Sequence, residues 1–379
     1  MSQQNIYLDY AAATPISKAA QLAMQPYLTD QFYNPSATYL AGREVKRALE
    51  TARSAVAHWL GAKTSDIIFT AGGTEANNMA IHGVMAANPS GNIVICSIEH
   101  DSVLLPAQQY DVRIASVDKS GRINLEDLES KIDENTVLVS VMYANNEIGT
   151  IQPITQISKV IEKQRRNRNN RLPLYLHTDA CQATNFLDIH TSRLGVDMMT
   201  LNGGKIYGPK QSGALYVKAG TILSPIIQGG GQERGLRSGT ENVPACVGFA
   251  TAIDEAQQMR QSESERLQKL QKSFVDKLIQ DIPGAVINGS QKYRLPNNVH
   301  VTFPGQDNER LLIQLDELGI MAAAGSACSA SQDEPSHVLE AIGVSDSDAQ
   351  ASIRITMGRS TDHNSIDKTL QSLKNLVVY

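Results

Sequence analysis

Short aliphatic runs alternate with helical patterns between positions 67 and 217. The runs, rich in β-branched residues, lie at positions 67–69, 93–95, 137–141, 174–176 and 214–217. Such alternation is typical of helices that cross over a mostly parallel sheet. We therefore predict an α/β fold with a mostly parallel central sheet in a large domain.

Two helical patterns frame the domain organisation. Positions 43–60 carry apolar residues at three- and four-residue intervals and end at Gly61, which predicts an amphipathic helix. A second pattern covers about 253–278, followed by a strand-like run at 299–303 and a final helix from Ser365. We predict a large domain over residues 15–254 and a smaller α/β domain over residues 255–379, joined by residues 1–14.

Composition narrows the functional classes. The 379 residues carry a formal net charge of −5 with both signs mixed, which argues against binding of nucleic acid over a broad surface. The basic stretch at 165–171 is interpreted as a solvated loop. No apolar run is long enough to cross a bilayer and the first residues are polar, so we expect a cytoplasmic protein.

The four cysteines are widely separated and form no Cys-x-x-Cys pair. They lie at positions 96, 181, 246 and 328. This spacing gives no zinc or dithiol motif, and disulfides are not expected in a reducing compartment. Cys96 and Cys246 lie in apolar sequence and are predicted to be buried, whereas Cys328 lies among small residues at 322–331, as an accessible thiol would. A flexible linker with an incidental cysteine is the alternative.

A glycine pair precedes a predicted helix at Gly72-Gly73-Thr74. Bare backbone amides and the helix dipole favour a phosphate there, with the Thr74 hydroxyl as a further donor. The alternative is an ordinary tight turn, because the segment lacks the Gly-Lys-Ser/Thr ending of a nucleotide-binding loop.

An aspartate and a lysine follow buried-looking strands in an informative order. Asp179 comes directly after one strand, where it either points into a ligand crevice or caps a helix. Lys205 stands in a glycine-rich turn between two apolar strands, where burial would lower its pKa and favour imine formation with an aldehyde. This order is found in many pyridoxal-phosphate enzymes.

Ten ordered matches together make the chain resemble the cysteine desulfurases of the NifS/IscS type, in the class V aminotransferase family. The matches lie at positions 6–15, 34–36, 73–75, 99–100, 145–149, 179–182, 205–209, 229–240, 325–328 and 352–354. The resemblance implies a fold-type I pyridoxal-phosphate-dependent transferase that acts as a homodimer.

The resemblance also implies residue roles. Lys205 would bind pyridoxal 5'-phosphate covalently and later move protons, Asp179 would pair with the ring nitrogen, and His100 would stack on the ring and take part in proton transfer. The remaining cofactor contacts would come from Gln182 and Asn146 to the phenolic oxygen, and from Gly73, Thr74, Asn202 and Thr240 of the partner subunit to the phosphate. Arg354, with Asn146, would bind the substrate carboxylate.

The implied reaction converts L-cysteine into L-alanine and leaves the sulfur as a persulfide on Cys328. A sulfur-acceptor protein, either a scaffold or a sulfur carrier, would then collect it for iron-sulfur clusters, tRNA thiolation, DNA sulfur modification or another thio-cofactor. No resident metal is implied, although Cys328 is a candidate transient ligand of an iron-sulfur cluster. The alternatives are a selenocysteine lyase or other carbon-sulfur lyase, and a divergent, non-catalytic partner of another desulfurase.

The chain departs from the family pattern just before the lysine. Family members usually carry Ser-Gly-His there, with both side chains on the phosphate, whereas this chain has Asn202-Gly203-Gly204. Loss of a charge-assisted hydrogen bond, worth roughly 1.5–3 kcal/mol, would lower cofactor affinity by about tenfold or more. We predict that Arg237, near Thr240, compensates.

Overall fold

The computed structural model describes residues 5–325 and 336–377. The helices are α1 Lys18–Thr29, α2 Leu40–Leu60, α3 Gly73–Ala87, α4 Asp101–Ala107, α5 Leu125–Lys131, α6 Ile154–Asn167, α7 Thr191–Leu194, α8 Val243–Asp281, α9 Asn308–Glu317, α10 His337–Ala341, α11 Asp346–Ala349 and α12 His363–Leu376. The strands are β1 Ile6–Tyr7, β2 Ile67–Thr70, β3 Asn92–Cys96, β4 Val112–Ala115, β5 Thr136–Ser140, β6 Tyr175–Asp179, β7 Met198–Asn202, β8 Gly213–Val217, β9 Val286–Ile287, β10 Asn298–Thr302, β11 Ile320–Met321 and β12 Ser352–Thr356.

Seven strands form the central sheet in the order β2-β8-β7-β6-β5-β3-β4. The pairs from β7 through β6, β5 and β3 to β4 are parallel, and β8 is antiparallel to both of its neighbours. The mostly parallel sheet is therefore confirmed, and each predicted aliphatic run lies in or against one of its strands. The edge strand β4 was not predicted, because only its last residue is buried and Arg113 interrupts its apolar character.

Both predicted long helices form, and both begin earlier than predicted. α2 ends where Gly61 adopts a left-handed conformation, with its N–H on the carbonyls of Ala57 and His58. α8 begins ten residues upstream of its predicted start, where the Asn242 side chain accepts from the N–H of Ala245. Its first turns are apolar on nearly all sides, which hides the helical period.

A smaller unit follows the large sheet in the chain. Strands β12, β10 and β9 form an antiparallel sheet, and β1 pairs in parallel with β11. One apolar cluster joins Leu8 to the second half of α8, β10, β12 and α12, and two further clusters line the two faces of the large sheet. Since α8 passes position 255 without a break, the domain boundary there stays a prediction.

The basic stretch at 165–171 was predicted to be a solvated loop. This prediction is only partly correct, because the stretch begins within α6 and two of its arginines bind other parts of the chain. Arg165 lies in the last turn of α6 and forms an ion pair with Asp197. Arg168 donates to the carbonyls of Asp133 and Thr136. These arginines tie the end of α6 to the sheet. No helix within residues 5–325 and 336–377 is long and apolar enough to span a membrane.

Candidate active site

A pocket lies at the carboxyl ends of β6 and β7, beside the start of α3. Ligands of open α/β sheets bind at this edge, because loops there leave a crevice. The pocket brings together most of the predicted site residues: Gly73, Thr74, His100, Asn146, Asp179, Gln182, Asn202, Lys205 and Arg354. Residues far apart in sequence therefore share one site, as the motif matches predicted.

The start of α3 has the geometry of an anion site. Gly72 has φ of 129°, a conformation that favours glycine, and it precedes the first helical residue Gly73. A Cβ on Gly73 would lie 2.7 Å from the Sγ of Cys181, so only glycine fits between the helix and that thiol. The 15-residue helix directs its first free N–H groups and its dipole at the pocket wall that Gly73 and Thr74 form.

Asp179 is the last residue of β6, and its carboxylate is held on both oxygens. Oδ1 accepts from the backbone N–H of Cys181 at 2.9 Å, and Oδ2 accepts from Nδ2 of Asn77 at 2.7 Å. A turn rather than a helix follows Asp179, so the helix-cap alternative is wrong. Asp179 as a whole is 7% exposed and lines the pocket.

Lys205 ends a short 3-10 turn, Gly203–Lys205, directly after β7. Its Nζ donates to the carbonyl oxygens of Ala11 at 2.8 Å and Ala12 at 2.6 Å. Nε2 of Gln182 donates to the same Ala11 carbonyl at 3.0 Å. We call residues 9–14 the N-terminal strap, because this segment crosses the pocket and contacts both side chains.

His100 caps the start of α4. Its Nδ1 accepts from the backbone N–H of Ser102 at 3.0 Å and lies 2.9 Å from the Ser102 Oγ. An imidazole that accepts at Nδ1 carries its proton on Nε2. Asn77 also donates to the Ser102 Oγ at 2.8 Å, so one hydrogen-bonded chain connects Asp179, Asn77, Ser102 and His100.

Arg354 lies on β12 and is 1% exposed. Its Nη2 forms an ion pair with Oδ1 of Asp9 at 2.7 Å, and its Nη1 donates to the backbone carbonyl of Asn146 at 3.1 Å. Its Nε is buried and has no hydrogen-bond partner among the described residues. The Arg354 guanidinium, with an unpartnered Nε, thus lines the same pocket as Asp179 and Lys205.

Two predicted participants, Thr240 and Arg237, lie outside this pocket. Thr240 is exposed and does not line the pocket. Arg237 forms an ion pair with Oε1 of Glu75 at 2.8 Å, which does not support its predicted role as a phosphate ligand. Cys328 lies outside the described residues.

The other three thiols are poorly suited to nucleophilic work. Burial raises the pKa of Cys96 and of Cys246, as their apolar context predicted. Burial, with Asp179 nearby, also raises the pKa of Cys181 well above its usual value. A protonated thiol is a weak nucleophile. The described residues also contain no cluster of side chains able to hold a metal ion.

Sequence reasoning missed Asn77, Ser102 and the Asp9 side chain as parts of the site. Asn77 lies one turn after Thr74 on α3, and this helical spacing was the available signal. Ser102 lies two residues from His100, within reach of a local side-chain contact. Asp9 belongs to a family motif, but its partner is 345 residues away in sequence.

The donor set matches one cofactor class. A helix N-terminus suits a phosphate, a fixed carboxylate suits a protonated ring nitrogen, and a lysine on the adjacent turn suits an aldehyde. The fold and the pocket therefore define a pyridoxal-phosphate-dependent enzyme, and the residues present fit that cofactor.

Comparison with known proteins agrees with this assignment to the pyridoxal-phosphate-dependent enzymes. The chain belongs to the aminotransferase class-V family, whose model matches residues 6–369. It is 41% identical to the cysteine desulfurase IscS of Dictyoglomus turgidum, over 99% of this chain and 95% of that protein. Two solved structures are similar. A NifS-like protein has a TM-score of 0.91 and 32% identity, with 98% of this chain and 99% of that chain covered. SspA in complex with cysteine has a TM-score of 0.80 and 35% identity, with 93% and 99% covered.

Proposed function

We propose that this protein is a cysteine desulfurase, which converts L-cysteine into L-alanine and carries the sulfur away as a persulfide on Cys328. The observation that carries the proposal is the pocket that unites Lys205, Asp179, His100 and Arg354. Relatives named cysteine desulfurase at about 40% identity over nearly the whole chain support it. So does the similar structure of SspA in complex with cysteine.

Each side chain has a defined task. Bound pyridoxal phosphate supplies an electron-withdrawing ring that accepts the electron pair left at the substrate α carbon. Asp179, whose two carboxylate oxygens accept hydrogen bonds from Asn77 and Cys181, would keep the ring nitrogen protonated. Lys205 would hold the cofactor covalently and would move the proton at the substrate α carbon. His100 presents Nε2–H for a second proton transfer, and Arg354 binds the substrate carboxylate.

The sulfur of the substrate is transferred to a thiol of the enzyme in a step that conserves atoms and electrons. The Cys328 thiolate attacks the substrate sulfur, a sulfur-sulfur bond forms, and the carbon-sulfur bond breaks with its electron pair on the carbon side. Protonation of that carbon completes alanine. Cysteine and the Cys328 thiol thus give alanine and the Cys328 persulfide, with no external oxidant. The raised pKa values of the three described cysteines favour Cys328 as the acceptor.

The final acceptor and the assembly are also proposals. We propose that a scaffold or sulfur-carrier protein removes the sulfur for iron-sulfur cluster assembly, since the relatives carry the name IscS. We also propose a cytoplasmic homodimer, in which Thr240 of the partner subunit completes the phosphate site. Its support is the exposure of Thr240 in the single chain, away from the pocket.

The decisive experiment follows both products. The holoenzyme is incubated with L-cysteine, alanine is quantified, and the peptide that contains Cys328 is analysed by mass spectrometry. We expect alanine release and one added sulfur atom on Cys328. The variant Cys328→Ser should lose both, and the control Cys181→Ser should retain both. Alanine release by Cys328→Ser would point to a lyase that acts without the thiol. A wild-type protein that binds pyridoxal phosphate but releases no alanine would refute the proposal.

A further inference from the structure

The N-terminal strap links the two sides of the pocket. On one side, Asp9 forms a β-bridge with Thr356 of β12, and the backbone N–H of Ala11 donates to Oγ1 of Thr356 at 3.0 Å. On the other side, the backbone carbonyls of Ala11 and Ala12 accept hydrogen bonds from Nζ of Lys205. One short segment therefore touches both the strand that carries Arg354 and the lysine.

Within this strap, Asp9 is the only carboxylate, and it contacts the Arg354 guanidinium directly. The two side chains are 19% and 1% exposed and lie 2.7 Å apart, so water screens their interaction little. The backbone carbonyl of Asn146 accepts a hydrogen bond from a second nitrogen of the Arg354 guanidinium, Nη1. Two anchors on different nitrogens of a planar group fix both its position and its plane.

These anchors leave Nε, on one edge of the guanidinium, without a partner among the described residues. Asp9 and Asn146 engage Nη2 and Nη1, while Nε is buried without a partner among residues 5–325 and 336–377. A buried donor without a partner is costly, and an incoming carboxylate on the edge formed by Nε and Nη2 would satisfy it. The residue that fixes the orientation of this edge would thereby select substrates that carry a carboxylate.

We propose that Asp9 is a positioning residue that orients Arg354 and so makes the site specific for α-carboxylate substrates. This inference rests on the proposed role of Arg354 in substrate binding. It adds the residue and the direction of approach: the carboxylate binds through Nε and Nη2, and Asp9 acts through Arg354 without touching the substrate.

The test compares Asp9→Asn with the wild type as holoenzymes. We expect the KM for L-cysteine to rise roughly tenfold with kcat within about twofold, because one charge-assisted anchor is lost. The dissociation constant of L-alanine, read from the visible absorbance band of the cofactor, should rise by the same factor. Binding of cysteamine, which is cysteine without its carboxylate, should not change. A merely structural role would weaken both ligands.

The control is Asp197→Asn. Asp197 is also a buried carboxylate paired with an arginine, Arg165, but it precedes β7 at the other end of the sheet. It should leave all three ligand constants unchanged. An unchanged or lowered KM in Asp9→Asn, or an equal loss of cysteamine binding, would overturn the inference. If Arg354→Lys also left L-alanine binding unchanged, the proposed role of Arg354 in substrate binding would be wrong as well. If L-alanine binding were weakened in Arg354→Lys but not in Asp9→Asn, only the positioning role of Asp9 would be rejected.

Discussion

Asn77 donates a hydrogen bond of 2.7 Å to the Oδ2 of Asp179, 102 residues further along the chain. The same amide nitrogen donates to Ser102, which contacts His100. The Asn77 side chain thus contacts both Asp179, which would face the ring nitrogen, and Ser102, whose hydroxyl contacts His100, the residue that would stack on the ring.

The first prediction removes this contact. Asn77→Ala should lower the affinity for pyridoxal phosphate by roughly tenfold, because a hydrogen bond to a buried charged group contributes about 1.5–3 kcal/mol. Titration of the apoenzyme with cofactor, followed by absorbance, measures the change. Asn92→Ala is the matched control, since Asn92 is equally buried and donates to Asp133 at 3.0 Å, away from the pocket. Equal affinities in the two variants would contradict the role of Asn77.

A second prediction concerns the glycine that replaces the usual histidine before Lys205. A Cβ on Gly204 would lie 3.5 Å from Oδ1 of Asn202 and 3.7 Å from Cγ of Lys210, which are ordinary contacts. Gly204→His should therefore fit and supply the missing donor. We expect about tenfold tighter binding of pyridoxal phosphate. Gly204→Ala fills the space without a donor and should bind as the wild type does; a gain in Gly204→Ala would show that packing, not hydrogen bonding, is responsible.

Local patterns predicted the elements well, and long-range contacts were the part that could not be predicted. The runs at 67–69 and 137–141 read as strands because every residue in them is buried. β4 was missed because it lies at an edge, half in solvent. Motif matches placed Lys205 and Asp179 in one site, but no local pattern pairs Asp9 with Arg354. The role of Asn77 was not predicted, because helical spacing alone does not show what packs against a residue.

A third prediction concerns the segment that carries Thr240. Arg53 binds Glu233 through two hydrogen bonds, at 2.6 and 2.7 Å, and both side chains are nearly inaccessible. Glu233→Gln removes the buried counter-charge of Arg53 and leaves only the more exposed Glu50 paired with it, so the free energy of unfolding should fall by about 3 kcal/mol. Urea denaturation measures this. The exposed pair Lys277 and Asp367 provides the contrast. Asp367→Asn should cost less than about 1 kcal/mol, and similar costs for the two variants would refute the prediction.

A fourth prediction concerns acid stability. His177 is fully buried in β6 between Ser140 and Thr200, and burial lowers its pKa to about 4, against 6.5 for an exposed histidine. As the pH falls from about 6.5 to 4, His177 therefore becomes protonated in the unfolded chain but stays neutral in the folded chain. Stability is unaffected above this window and falls within it, by up to roughly 3 kcal/mol.

The measurement is the free energy of unfolding at several pH values between 7 and 4. His177→Gln removes the titrating group, so its stability should fall less steeply than that of the wild type across this window. Parallel curves for the two proteins would mean that His177 does not contribute to acid sensitivity.

The last prediction tests the shared active site through subunit complementation. Thr240 is exposed in one chain, whereas Lys205 lies in the pocket, so the homodimer proposal places the two on different subunits within each site. Lys205→Ala alone should be inactive because it lacks the covalent link, and Thr240→Arg alone because it blocks the neighbouring phosphate site. In a mixed dimer, one site would combine the intact Lys205 of one chain with the intact Thr240 of the other.

Equal amounts of the two variants, unfolded and refolded together, should therefore regain roughly a quarter of wild-type activity, because half of the dimers are mixed and each has one intact site. Alanine release measures the recovery, and each variant refolded alone serves as its own control. If Thr240 instead acted within its own chain, every site in the mixture would carry one defect. Activity would then stay at the level of the separate variants, and the shared site would be excluded even if sedimentation showed a dimer.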